Sequence, residues 1–481
     1  MNIFDAFQHQ VRHQPTAPAI CAPGTQFNLV SYGRLNAFAN TIAQHAFANG
    51  IKRGDTVAIL CADVVLHWAL ILGLGRIGAV TLSSLDPALP VECRVTATIT
   101  DQSGAFQNAG RIIQLDTGWT AGDGQPTSVE TEPDRSATAR IILTSGTTGR
   151  AKAVALSHDM IVRRLQAYDV AFGGRIPACT RTFVDVGITA NIGFLWGVYM
   201  LARGGMLVLR GSDAATTMQA FTLYQVQCMV ASPAGLAEFL DYYERSPAFA
   251  SPFWAVLSVG SYLAKPLAER LRASLCSHTV SGYGATECSP VAAAPAQHIG
   301  DVPGAVGYVA PGMILQTVDG AGRVLTPGIE GLIRYRGHTC VDGYLGNPPG
   351  SAAFFRDGWF YPGDIGRVTA EGVLVISGRE KAIIDLGGDK ISPDAIEGTL
   401  MAFPGVSLAA ALGWPNALGI EEVLAAVTSS ERLDLEAVRA HCARMLPAAQ
   451  VPARVVQVAE IPRNAAGKID RRKLQQSLGI I

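Results

Sequence analysis

The sequence is poor in charge. Only 16% of its 481 residues are Asp, Glu, Lys or Arg, and the two signs nearly cancel, to a formal net charge of -1. It therefore gives no electrostatic reason to expect a nucleic-acid partner or a charged membrane surface. No CxxC pair occurs among the nine cysteines, which are scattered from Cys21 to Cys442, and their number is odd. This argues against a zinc cluster or a disulfide framework and fits a reducing cytoplasm. The N-terminus, MNIFDAFQHQVRHQP, has no apolar core of signal-peptide type, so export is not expected. The most apolar stretch, GITANIGFLWGVYMLARGGMLVL (187–209), is interrupted by Thr189, Asn191, Arg203 and paired glycines. It reads as a buried helix followed by a strand, not as a membrane span. There is no GxSxG nucleophile elbow, no internal repeat and no low-complexity tract.

Apolar residues, by contrast, make up 49% of the chain, enough for large cores and against disorder. A chain of this length predicts two to four domains at roughly 100–200 residues each. Leu35, Phe38, Ile42 and Ala46 recur at helical spacing until Gly50. DTVAILC (55–61) reads as a buried strand, HWALILGLGRIGA (67–79) as a helix and VTLSSLDP as a further strand. IILTS, GMLVLR, QCMVAS and FWAVLSVG continue the series. Strands alternating with helices predict an α/β fold with parallel sheets covered on both faces. From about Gly304 the strands shorten and gain glycine and proline, as in GLIRYRG, GWFYPGD and GVLVISG. That texture predicts a small β-rich, barrel-like subdomain over 304–380. After SGREK (377–381) helix and strand alternate again. The expected division is a large N-terminal domain, 1–380, and a small, mobile α+β C-terminal domain, 381–481.

One segment points to chemistry. LTSGTTGRAK (143–152) is rich in hydroxyls and glycines and ends in two cations. Its flanks, ATARIILT and KAVALSH, both read as strands, so the unit is strand–loop–strand. A Walker loop needs different spacing and a following helix. Glycines let backbone N–H groups converge on an anion, and Thr144, Ser145, Thr147, Thr148 and Lys152 add donors and charge. On its own the loop reads equally as a polar turn.

Five blocks, in order along the chain, resemble the adenylate-forming superfamily of acyl-CoA and aryl-CoA synthetases, peptide-synthetase adenylation domains and luciferases. They are LTSGTTGRAKAV; SGYGATE (281–287); GWFYPGDIG (358–366); SGREKAIIDLGGDKISPDAIE (377–397); and IPRNAAGKIDRRKL (461–474). The layout is nearest that of AMP-forming carboxylic acid–CoA ligases. One departure is Ala151-Lys152-Ala153, where the family usually has Pro-Lys-Gly.

The resemblance implies two steps: a carboxylate attacks the α-phosphorus of ATP, and a thiol then displaces AMP. Thr144, Ser145, Gly146, Thr147, Thr148, Gly149 and Lys152 would hold the β- and γ-phosphates. Glu287 would ligate Mg²⁺, and Thr286 would donate to the α-phosphate. Tyr283 with Gly284 would face adenine, edged by Gly260, Ser261 and Tyr262. Asp364 would take the ribose hydroxyls, and Arg379 would add a ribose or phosphate contact. Lys468 would carry the adenylation step. Lys381 stands where the family hinge stands, and Gly387 and Gly388 would line the thiol tunnel. Taken singly, Glu287 also reads as a surface acid, Asp364 as a turn residue and Lys468 as part of a solvated basic tail.

The acid pocket should be lined by 184–194, by 258–261 and by 281–285, with Asp185, Thr189, Asn191, Ser258, Ser281 and Ala285 as candidates. The family's His-containing PxFH segment is absent. Asn191 favours a small aryl or short acyl acid, and Asp185 is the counter-candidate for recognising an amino group. The thiol is expected to be CoA or, alternatively, the phosphopantetheine of a carrier protein supplied in trans. A reading of another class is a nucleotide-binding protein without catalysis.

Overall fold

The structure is a computed structural model that describes residues 3–121, 134–144, 151–245, 253–346, 351–379, 384–385, 390–391, 393–415, 421–464 and 467–480. The chain forms two compact units. One comprises Met1–Met229, Thr286–Ser289 and His338–Phe355, and the other Val230–Ala285, Pro290–Gly337 and Arg356–Ile481.

In the first unit a six-stranded sheet runs in the order Arg111–Gln114, Ala97–Thr100, Thr56–Leu60, Val80–Ser83, Thr138–Thr144, Lys152–Ser157. Every pairing is parallel except the last. Val57 through Leu60 are fully buried, as expected of strands covered on both faces. The predicted stripe Leu35, Phe38, Ile42 and Ala46 lies on the helix Tyr32–Ala48, and all four are buried. Ser31 caps that helix and Asp63 caps Val64–Arg76, each accepting from a backbone N–H of the first turn.

A second sheet of this unit orders Arg181–Asp185, Met206–Val208, Pro18–Cys21 and Leu29–Ser31. The helix Asn191–Ala202 is buried on nearly every face, which is why its sequence looks like a membrane segment. At Gly197 a Cβ would come within 2.0 Å of the Trp68 ring, so the glycine permits this close packing. No helix among the described residues is long and apolar enough to cross a membrane.

In the second unit Ala255–Val259 and Thr279–Tyr283 pair in parallel. Antiparallel strands follow in the order Ala292–Pro295, Ala305–Val309, Val373–Arg379, Asp364–Val368, Gly331–Gly337, Trp359–Phe360. The barrel-like closure expected over 304–380 is corrected here: these strands stand in an open order and do not return on themselves. The final hundred residues carry the strands Leu408–Pro415, Glu421–Thr428 and Arg454–Gln457 and the helices Pro393–Met401 and Leu435–Met445, around a core that includes Ile396, Leu400, Val427 and Val438.

Seven cysteines are buried outside any disulfide, whereas Cys288 and Cys340 are disulfide-bonded. The sequence argues against a disulfide framework, and this pair is the one disulfide among the described residues. Cys288 and Cys340 face each other across an isolated antiparallel bridge.

Candidate active site

The hydroxyl-rich stretch is flanked by two strands as expected, with Thr144 and Lys152 directly opposed in the antiparallel register. Ser145, Gly146, Thr147, Thr148 and Gly149 lie outside the described residues, as do the hinge candidate Lys381 and the tunnel candidates Gly387 and Gly388. The ammonium of Lys152 lies 3.2 Å from the centroid of the Phe354 ring and 4.9 Å from that of Tyr344. Tyr344 in turn donates its hydroxyl to Glu287 Oε1 at 2.6 Å. Two residues assigned to the phosphates and their metal thus share an aromatic neighbour. Neither Tyr344 nor Phe354 was singled out from the sequence. An aromatic placed between glycines, as in DGYLG, is the one local signal that could have drawn attention to Tyr344.

Arg164, on the helix His158–Ala171, is 0% exposed. It donates to the carbonyls of Thr286 (2.9 Å), Glu287 (3.1 Å) and Thr339 (3.1 Å), and to Asn191 Oδ1 (3.2 Å). Asn191 is the first residue of its helix and is buried. Thr189 Oγ1 is buried without a hydrogen-bond partner among the described residues. Asp185 is held in a two-pronged ion pair by Arg210, at 2.9 and 2.8 Å.

In the second unit three of the predicted nucleotide residues come together. Asp364, only 3% exposed, opens its strand directly opposite Arg379. Arg379 Nε donates to Asp364 Oδ1 at 2.8 Å, and the Tyr283 hydroxyl donates to Oδ2. Burial, reinforced by the Asp364 carboxylate, raises the Tyr283 phenol well above its usual range, so it stays a donor. Both carboxylate oxygens expected to face ribose are therefore already engaged within the chain.

Ser258 and Ser281 are register partners on neighbouring parallel strands and both are buried. Ser258 Oγ has no partner among the described residues. Gly260 follows with φ +92°, a turn favouring glycine, and leads into exposed Ser261 and half-buried Tyr262. Gly284 is exposed, and Ala285 and Thr286 are half-buried.

Lys468 sits on a short turn closed by Asn464, whose N–H donates to the Lys468 carbonyl (2.9 Å) and whose side chain accepts from the Lys468 N–H (3.1 Å). Arg463 ties the turn to Glu238 of the helix Pro233–Glu244 at 2.8 Å.

Residues 7–345 match the AMP-binding enzyme family, and residues 395–468 match the AMP-binding enzyme C-terminal domain. The chain belongs to the AMP-binding enzyme family. It is an adenylate-forming enzyme of the AMP-forming acid–thiol ligase type. The 4-chlorobenzoate–CoA ligase of Arthrobacter sp is 27% identical over 99% of this chain and 95% of its own. The fatty acid–[acyl-carrier-protein] ligase ScoC of Streptomyces coeruleorubidus is 28% identical over 96% and 94%. The structure of o-succinylbenzoate CoA synthetase from Bacillus subtilis, in complex with its acyl-adenylate, superposes with a TM-score of 0.81 at 20% identity, covering 99% of this chain and 98% of that one.

In an AMP-binding enzyme the geometry around Glu287 bears on the metal. Glu287 is a single buried carboxylate, and Tyr344 engages only one of its oxygens. No group of three or more His, Cys, Asp or Glu able to hold a metal occurs among the described residues. A lone carboxylate suits Mg²⁺, which takes most of its ligands from water and substrate phosphate rather than from a protein cage.

Proposed function

We propose that the protein activates a small aryl or short acyl acid with ATP and passes it to a thiol, most readily CoA. The observation that carries this reading is the assembly of Tyr283, Asp364 and Arg379, drawn from separate sequence blocks, into one hydrogen-bonded group around the buried Asp364 carboxylate. In the first step a carboxylate oxygen bonds to the α-phosphorus, the α–β anhydride bond breaks and pyrophosphate leaves. In the second a thiol sulfur attacks the acyl carbon, loses its proton and expels AMP.

Joining two anions requires charge neutralisation and alignment more than a general base. Thr144, the loop 145–149 and Lys152 would hold the β- and γ-phosphates, and Thr286 the α-phosphate. Glu287 would hold Mg²⁺, whose charge offsets that of the phosphate oxygens. Tyr283, Gly284, Gly260, Ser261 and Tyr262 would receive adenine, and Asp364 and Arg379 the ribose. Lys468 would place its ammonium between the carboxylate and the α-phosphate. The working division is a large domain, 1–380, and a small one, 381–481, turning at Lys381 so that Gly387 and Gly388 reach the thiol. The enzyme would work in the cytoplasm.

The pairing of Asp185 with Arg210 speaks against an amino-acid substrate, because that carboxylate already has a cation. Thr189 Oγ1, buried without a partner among the described residues, favours an acid with an oxygen acceptor. An unsatisfied buried hydroxyl costs about 1–3 kcal/mol, which a bound acceptor restores. The test is acid-dependent ATP–pyrophosphate exchange over a panel of aryl, short acyl and amino acids, followed by thioester formation with CoA or with holo-carrier protein. Exchange with no acid would end the proposal. Transfer to carrier protein alone would replace CoA as the acceptor.

A further inference from the structure

Arg164 is a cation in a place that offers it little. It is fully buried, and none of its four hydrogen bonds goes to a carboxylate. One of them reaches the first residue of the helix Asn191–Ala202, where the helix dipole disfavours positive charge. Removing a guanidinium from water is costly, and an apolar side chain of similar length would fill the same volume without that cost. What an apolar side chain could not do is hold carbonyls from three separate segments in one plane. Among the described residues, Arg164 is the sole donor to the Thr286 carbonyl. Thr286 and Glu287 are adjacent, and Arg164 reaches both carbonyls through different nitrogens, NH1 and NH2. This fork sets the plane of the peptide linking them, and with it the directions of both side chains.

We propose that Arg164 is a positioning residue for adenylation. Its guanidinium locks the Thr286–Glu287 peptide, Thr339 and Asn191 into one arrangement, so that the side chains assigned to the α-phosphate and to Mg²⁺ are presented together. Arg164 itself touches no reacting atom in this scheme. The inference rests on the adenylation reading and adds a part to it. A lysine could keep the charge but not the fork, so charge and geometry are separable.

The test compares wild type with Arg164→Lys and Arg164→Met, using an acid that supports exchange by the wild type. Three quantities are read: kcat for ATP–pyrophosphate exchange, the Mg²⁺ concentration giving half the maximal rate, and calorimetric binding of the α,β-methylene analogue of ATP with Mg²⁺. Conversion of supplied acyl-AMP to thioester monitors the second step and the integrity of the fold. For Arg164→Met the expected result is at least about a 30-fold fall in kcat, a rise of about fivefold or more in the Mg²⁺ requirement and weaker analogue binding, roughly what losing one charge-assisted hydrogen bond would cost. Thioester formation from acyl-AMP should stay within about threefold, since that step needs no triphosphate. Arg164→Lys should fall between wild type and Arg164→Met in kcat and Mg²⁺ requirement. If Arg164→Met does not fold, Arg164→Lys decides: wild-type kcat and Mg²⁺ requirement in that variant overturn the proposal. Equal loss of both steps with an unchanged Mg²⁺ requirement overturns it too, by showing a merely structural role. A wild type inactive with every acid overturns the adenylation reading itself, and is distinguished by the absence of any exchange to compare.

Discussion

Tyr344 donates its hydroxyl to Glu287 at 2.6 Å, and the same ring stands 4.9 Å from the ammonium of Lys152. One side chain therefore meets a carboxylate through its edge and a cation through its face. A hydrogen bond to a charged group contributes about 1.5–3 kcal/mol, and the ring contact about 0.5–2 kcal/mol. Tyr344→Phe removes only the first. It should lower kcat for ATP–pyrophosphate exchange by about tenfold and leave the melting temperature nearly unchanged. Tyr344→Leu, which removes both, should lower exchange further. Equal activity in the two variants would show that the hydroxyl is idle.

Asp364 accepts from Tyr283 and Arg379 at once. Asp364→Ala leaves a phenol and a guanidinium without their acceptor, so losses in both stability and nucleotide affinity are expected. The KM for ATP should rise by about tenfold or more, corresponding to about 1.4 kcal/mol or more. Arg379→Ala should act more weakly, because its side chain is 45% exposed whereas that of Asp364 is 4% exposed. Calorimetric titration with AMP separates this binding loss from any effect on the chemical step.

Much of this arrangement was legible because particular local rules held. The stripe of Leu35, Phe38, Ile42 and Ala46 has a single period, and the helix buries that face. Asp364 and Arg379 stood in blocks whose order carried the family resemblance, and they meet as register partners. Arg164 and Tyr344 were not legible, because their partners are 122 and 57 residues away and no spacing rule spans such gaps. The barrel-like expectation failed for a related reason. Closure depends on strand tilt and stagger, and short glycine-rich strands look the same in an open sheet. The Cys288–Cys340 pair is likewise a product of the fold, since scattered cysteines carry no record of their connectivity.

His67 gives a prediction about acid stability. It is 1% exposed and hydrogen-bonds Ser83 Oγ, which also accepts from Arg140. Burial, and then the Arg140 cation, push its pKa from 6.5 down to about 3. The folded state thus keeps the imidazole neutral while the unfolded chain protonates it. The stability this contributes is fully present above pH 6.5 and is lost as pH falls from 6.5 towards 3. At pH 5 the loss amounts to about 2 kcal/mol, taking 1.36 kcal/mol per pKa unit. Urea unfolding of wild type between pH 7.5 and 5 should show this slope, and His67→Gln should flatten it by about that amount. A variant as acid-sensitive as the wild type would place the labile group elsewhere.

Lys468 separates the two chemical steps. Its turn is fixed by Asn464 and anchored through Arg463 to Glu238, so the ammonium can be removed without dismantling its support. Because the first step brings a carboxylate to a phosphate, losing a positioned cation should affect that step most. Lys468→Ala should lower acid-dependent exchange by at least about 100-fold, a loss of roughly 2.7 kcal/mol in barrier stabilisation. Thioester formation from supplied acyl-AMP should remain within about threefold of wild type, because the phosphate bond it depends on has already been made. Arg463→Ala should give a smaller version of the same asymmetry by loosening the turn. Rapid-quench assays of each half-reaction on the two variants measure the contrast directly, and equal loss in both steps would remove Lys468 from the adenylation chemistry.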